Sequence, residues 1–128
     1  MPVELSANQK ASFDDDGFVV VDRLIDPLKI PALHQAFDDL FNGNFETGVR
    51  PDEVNWQKGE SDPGLSRQIC NGWKANRDIA RIVLDENIGR TIASLAGWSG
   101  IRIMIDNVIW KAQVTKSLGF HQDNDYLS

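Results

Sequence analysis

Phe120-His121-Gln122-Asp123-Asn124-Asp125-Tyr126-Leu127-Ser128 is the stretch on which the reading of this chain turns. Side chains of an extended strand alternate between faces, so a strand here carries His121 and Asp123 on the same side. A neutral imidazole nitrogen beside a carboxylate oxygen makes two corners of the 2-His-1-carboxylate arrangement that holds non-haem Fe(II) and leaves positions open. The third corner has to come from elsewhere. The only other histidine, His34, stands next to Leu33 in a helical pattern far upstream, on the side expected to face solvent. By itself His-x-Asp is common in polar strand ends and turns, and its meaning depends on the rest of the chain.

Working back from this segment, Ile101, Ile103 and Ile105 alternate with Arg102, Met104 and Asp106, the period of a strand that Val108-Ile109-Trp110 continues. Helical spacing at Ile79, Ile82 and Val83, and again at Ile88, Ile92 and Leu95, predicts a helix pair that Gly97 ends. From Asn42 to Asn76 the pattern dissolves among seven Gly and Pro residues, with Trp56 and Trp73 embedded. Such a stretch is either a binding loop or a surface excursion anchored by its tryptophans. Ile30, Leu33, Phe37, Leu40 and Phe41 keep one face of a helix opened by Asp26 and Pro27. Phe18 to Val21 reads as a β-branched strand. Ser6 and Gln9 form a capping box for a first helix that stops at Gly17. A sheet made only of Phe18–Val21, Ile101–Ala112 and the His121 strand has too few strands to close, which predicts a fold truncated after the His-x-Asp strand.

The 128 residues suffice for a single domain, 1–128, and the 41% apolar and 25% charged fractions are those of a folded chain. A net charge of −6 argues against a nucleic-acid partner, which wants a basic face. No apolar run approaches the ~20 residues of a membrane span, and the N-terminus has no signal-like pattern. One cysteine, Cys70, excludes an internal disulfide; a buried thiol in a cytoplasmic, reducing setting is expected.

Two motifs, in order, give the chain a resemblance. Phe13-Asp14-Asp15-Asp16-Gly17-Phe18-Val19-Val20 follows a short helix, and Gly119-Phe120-His121-Gln122-Asp123 with Tyr126 follows the Val108-Ile109-Trp110-Lys111 strand. With the amphipathic helix Pro27 to Phe41 and the helix pair Arg77 to Gly97 between them, the chain resembles the phytanoyl-CoA dioxygenase family over nearly its whole length. The resemblance implies an α+β fold in which N-terminal helices pack on a partial double-stranded β-helix of the jelly-roll or cupin type. It implies a dioxygenase using Fe(II), 2-oxoglutarate and O2, with His121 and Asp123 as metal ligands. A carboxylate at position 123 favours hydroxylation over halogenation, with 2-oxoglutarate decarboxylated to succinate and a C–H bond of a small-molecule substrate hydroxylated. The family usually follows its strand lysine with proline and glycine; here Lys111 precedes Ala112-Gln113-Val114, so this loop differs. The family's distal histidine and its 2-oxoglutarate-binding arginine have no counterpart in the sequence.

Other candidates are weaker. Lys111 is a candidate for binding an anionic co-substrate, though a strand-end lysine is commonly a solvated charge. Arg67, Trp73 and Lys74 lie in the irregular stretch, where exposed cations near tryptophan are common. Asp14, Asp15 and Asp16 point in different directions on a helix and form a solvated end rather than a metal cluster. Asp125 would support Asp123 from the same strand face. The leading expectation is therefore part of an Fe(II)/2-oxoglutarate hydroxylase, with little catalysis by this polypeptide alone. The alternatives are a non-catalytic binding module that keeps the helical part of the fold, and a scaffold sharing metal ligands between chains. Neither the substrate nor the oligomeric state is legible.

Overall fold

A computed structural model of the chain describes residues 3–113 and 119–122. It begins with α1, Ala7–Asp16. Ser6 Oγ accepts from the Gln9 backbone N–H at 3.2 Å while Gln9 Oε1 accepts from the Ser6 N–H at 3.0 Å, the reciprocal capping expected of this pair. Gly17 ends the helix with φ 79°, and its N–H reaches the Phe13 carbonyl. No residue of α1 is buried, and Asp14, Asp15 and Asp16 form an exposed helix end.

The predicted helix from Pro27 is divided. A 3₁₀ turn spans Pro27–Lys29, and α2 runs over Ile30–Phe41. Proline at position 31 has no N–H to bond the Pro27 carbonyl four residues back, and that carbonyl instead accepts from Ile30. Asp26 closes the start by accepting from the Leu28 N–H at 3.0 Å. Ala36, Leu40 and Phe41 are buried.

The stretch from Asn42 to Asn76 corrects the sequence reading. It contains two of the three strands found among the described residues, β1 at Glu53–Val54 and β2 at Arg67–Cys70, and a 3₁₀ turn at Gly72–Lys74. Both tryptophans act as anchors: Trp56 is buried and donates to the Asp62 carbonyl at 3.0 Å, and Trp73 donates to Asn71 Oδ1 at 3.2 Å. Helices α3, Arg77–Val83, and α4, Glu86–Ala96, follow as their spacing predicts. Asn76 caps α3, Asp85 caps α4, and Gly97 ends α4 at φ 69°.

β3 is Asn107–Trp110, and the sheet is antiparallel with order β1-β2-β3. Its membership differs from the one expected. Phe18 to Val21 forms no strand and leaves Phe18 64% and Val20 71% exposed, since β-branched residues need a neighbouring strand to form a ladder. Residues 101–105 also lie outside any strand. Register explains why: β3 pairs with β2 from Asn107↔Cys70 to Trp110↔Arg67, and the Asn71 N–H to Asp106 carbonyl bond, 2.9 Å, is the last rung. Asn71 then turns into the left-handed region, φ 57°, so the segment before Asp106 has no strand of β2 beside it. Residues 119–122 are likewise not in a strand, against the expectation for His121.

The core joins α2 and α3 to one face of this sheet. Leu40, Phe41, Ile69, Ile79 and Val108 are its larger aliphatic and aromatic members with Trp56, and Ile69 is fully buried. Gly72 is held where the 3₁₀ turn crosses this core: a Cβ there would lie 2.9 Å from Val108 Cγ2 and 3.2 Å from Leu40 Cδ1. The fold is α+β. No helix among the described residues is long and apolar enough to cross a membrane.

Candidate functional site

Register sorts the side chains of the sheet into two faces. Directly paired residues share a face, and alternate residues of one strand share it too. Ile69 is opposite Val54 on one side and Val108 on the other, and this row packs on the helices. Two residues along, Arg67 is opposite Trp110. Continuing the antiparallel pairing of Val54 with Ile69 brings Trp56 to its other side, and the Asn55 N–H to Gln68 carbonyl bond of 3.2 Å carries that pairing. The guanidinium carbon of Arg67 is 3.8 Å from the Trp56 ring centroid and 4.2 Å from that of Trp110, with Phe41 at 5.9 Å. Arg67 Nε is buried and makes no hydrogen bond among the described residues. Cation–π contact contributes about 0.5–2 kcal/mol per ring. An unpartnered buried donor costs about 1–3 kcal/mol. The two are of one size, so the arginine is held in place without being saturated.

The opposite face is more polar, and it is exposed at Glu53, Asn107 and Ile109 while Cys70 is buried. Glu53, Cys70 and Asn107 form one row, and Gln68 and Ile109 the next. Gln68 Nε2 donates to Asn107 Oδ1 at 2.9 Å, and the Cys70 thiol donates to the same oxygen at 3.0 Å. Cys70 is a free, buried thiol, as expected; burial pushes its pKa up, and the Glu53 carboxylate adds to the shift. Ile109 is 59% exposed, and exposed Lys111 immediately follows β3. A face carrying bonded amides, an apolar side chain and a nearby ammonium can receive a polar organic molecule. Sequence reasoning missed Gln68 because β2 lay within a stretch read as irregular, and Asn107, in a segment that was read as strand, because its partner strand was not seen. The alternation of Arg67-Gln68-Ile69-Cys70 was the available signal.

His121 is exposed, with Nδ1 2.9 Å from the Gly119 carbonyl oxygen. A carbonyl only accepts, so Nδ1 carries the hydrogen of this bond, the backbone contact that metal-ligating histidines commonly make through their other ring nitrogen. Asp123, Asp125 and Tyr126 lie outside the described residues. Among the described residues no three His, Cys, Asp or Glu side chains gather to hold a metal ion. His34 is exposed on α2, as its place beside Leu33 predicted. Lys74 is engaged elsewhere, its Nζ 2.8 Å from both oxygens of Asp52, which lowers the pKa of that carboxylate.

One further carboxylate is set apart by burial. Asp106, just before β3, accepts from the Trp73 N–H at 3.3 Å through Oδ1, while its buried Oδ2 has no partner among the described residues. Burial holds its pKa above the ordinary aspartate value. Its place at the start of the 3₁₀ turn gives it a capping role.

Another concavity, a groove of about 780 Å³, runs between α4 and residues 98–104, with Ile88, Ile92, Trp98 and Met104 in its walls. No protein-family model matches the chain, and neither a curated protein nor a solved structure matches it.

Proposed function

We propose that the chain belongs to an Fe(II)- and 2-oxoglutarate-dependent dioxygenase of the phytanoyl-CoA dioxygenase type, hydroxylating a small organic substrate. The observation that carries the reading is the ordered pair of motifs, Asp16-Gly17-Phe18-Val19-Val20 near one end and Gly119-Phe120-His121-Gln122-Asp123 near the other. The Nδ1 bond of His121 to the Gly119 carbonyl supports it, because metal-ligating histidines commonly donate their other ring N–H to a backbone carbonyl. In this reading His121 and Asp123 hold the metal, and Lys111 attracts the anionic co-substrate. Bound there, Fe(II) supplies the activation of O2 that protein side chains cannot. The chain's own part is to orient the two ligands, and the Gly119 carbonyl holds the imidazole through Nδ1 for that purpose. The sheet face away from the helices, with Gln68 and Asn107, offers hydrogen bonds to a polar substrate. The rest of the jelly-roll, a third ligand and an arginine for the keto acid belong to the proposed complete enzyme.

Anaerobic titration with Fe(II) and then 2-oxoglutarate tests the reading, followed through the visible charge-transfer band of the chelated keto acid and through metal-dependent thermal stabilisation. Fe(II) affinity is expected to fall at least tenfold or so in His121→Ala and in Asp123→Ala. Equal Fe(II) affinity in the wild type and both variants would rule out these residues as ligands.

A further inference from the structure

We propose that Arg67, held between Trp56 and Trp110 at the end of the helix-facing side of the sheet, is a binding site for a carboxylate anion. The site is separate from the His-Gln-Asp segment and does not depend on the metal reading. Four other cations of the chain, Lys74, Arg77, Arg81 and Arg90, each pair with a carboxylate. Arg67 has no carboxylate partner among the described residues, and what sets it apart from the chain's other unpaired cations is that its guanidinium lies against two indole rings with Nε buried. Its guanidinium carbon lies 3.8 and 4.2 Å from the two ring centroids, and its buried Nε has no acceptor among the described residues.

Stacking satisfies the faces of a guanidinium and leaves its edge. All five N–H donors lie in the plane, and a carboxylate meets them with two parallel charge-assisted bonds. Nε is enclosed, so a ligand approaches end-on through the two Nη groups. The ring distances leave a gap about one planar group thick. The guanidinium fills that gap, so a carboxylate meets its Nη edge and extends the same plane outward, while a tetrahedral phosphate places oxygens above and below that plane. Because one ring follows β1 and the other belongs to β3, ligand binding also draws both flanks onto β2.

The test uses the 128-residue chain and its tryptophan fluorescence, titrated with sodium acetate and sodium succinate at constant ionic strength, with chloride and phosphate as references. Saturable changes with the carboxylates, absent with chloride and phosphate, are expected. Arg67→Lys keeps the charge but loses the fork, and its midpoint should rise by about tenfold or more while the far-ultraviolet circular dichroism spectrum is unchanged. No saturable change in the wild type, or equal responses to carboxylate, phosphate and chloride, overturns the proposal. So does an unchanged midpoint in Arg67→Lys, which would leave Arg67 only a staple across the strands. Should that variant not fold, the wild-type comparison of anions decides the matter alone.

Discussion

The two faces of the sheet come from the same strand and differ in what they do. Along β2, Arg67 and Ile69 point toward the helices and Gln68 and Cys70 away from them; Ile69 is tied into the core with Leu40, Phe41 and Val108, and the Arg67 guanidinium lies 5.9 Å from the Phe41 ring. On the helix side the neighbours across the strands are Val54, Val108 and two tryptophans; on the other they are Glu53, Asn107 and Ile109. The first face stabilises the fold by excluding water. The second keeps hydrogen-bonding groups and an exposed isoleucine where a ligand can reach them. A strand with period-2 alternation is what lets four residues serve both purposes.

The contrast breaks most visibly by truncation. Ile69→Ala, at a fully buried position, should cost about 2–5 kcal/mol by denaturant titration. Ile109→Ala, one strand away on the open face, should cost less than about 1 kcal/mol. Comparable losses at the two positions would mean that another part of the protein covers the open face. A next-largest effect comes from overfilling: Gly72→Ala sets a methyl against Val108 and Leu40 and should cost about 1–3 kcal/mol, read as a lower melting temperature.

The smallest effect is electrostatic. The folded-state pKa of Asp106 is raised, so the folded protein binds its proton more readily than the unfolded chain. This contribution to stability is fully present below the unfolded value of 3.8 and disappears as pH rises through the raised folded value. Asp106→Asn should therefore gain relative to the wild type as pH rises across that window and be matched more closely below it, in melts recorded from pH 3 to 7. For Asp52, bonded to Lys74 and Asn71, the sign is opposite: its pKa is lowered, and the stability present above 3.8 is lost as pH falls through the folded value. If Asp52→Asn and Asp106→Asn gave the same pH trend, the assigned burial of Asp106 would be wrong.

Local signals were legible where they act within one turn of chain. The Ser6–Gln9 box, the left-handed stops at Gly17 and Gly97, and the apolar stripe of α2 all stand where the sequence places them. Strands were the failure. Ile101 to Ile105 alternates and is not a strand, while Arg67 to Cys70 is one in a stretch dense with glycine and proline. Strand formation needs a partner at a defined register, and no local pattern contains that partner. For the site, His121 and Lys111 could be named from motif and resemblance, whereas Gln68 and Asn107 emerge only from cross-strand pairing.

The sequence by itself determined the helices, their caps, the exposed acidic end of α1 and the buried thiol, because each depends on side chains a few positions apart or on hydrophobicity alone. Only the tertiary structure decided which segments form the sheet, and with it the placement of Arg67 between two tryptophans and of Gln68 beside Asn107. Those neighbours are 11 to 43 positions apart in the chain, and it is strand register, fixed by packing against α2, that brings them together.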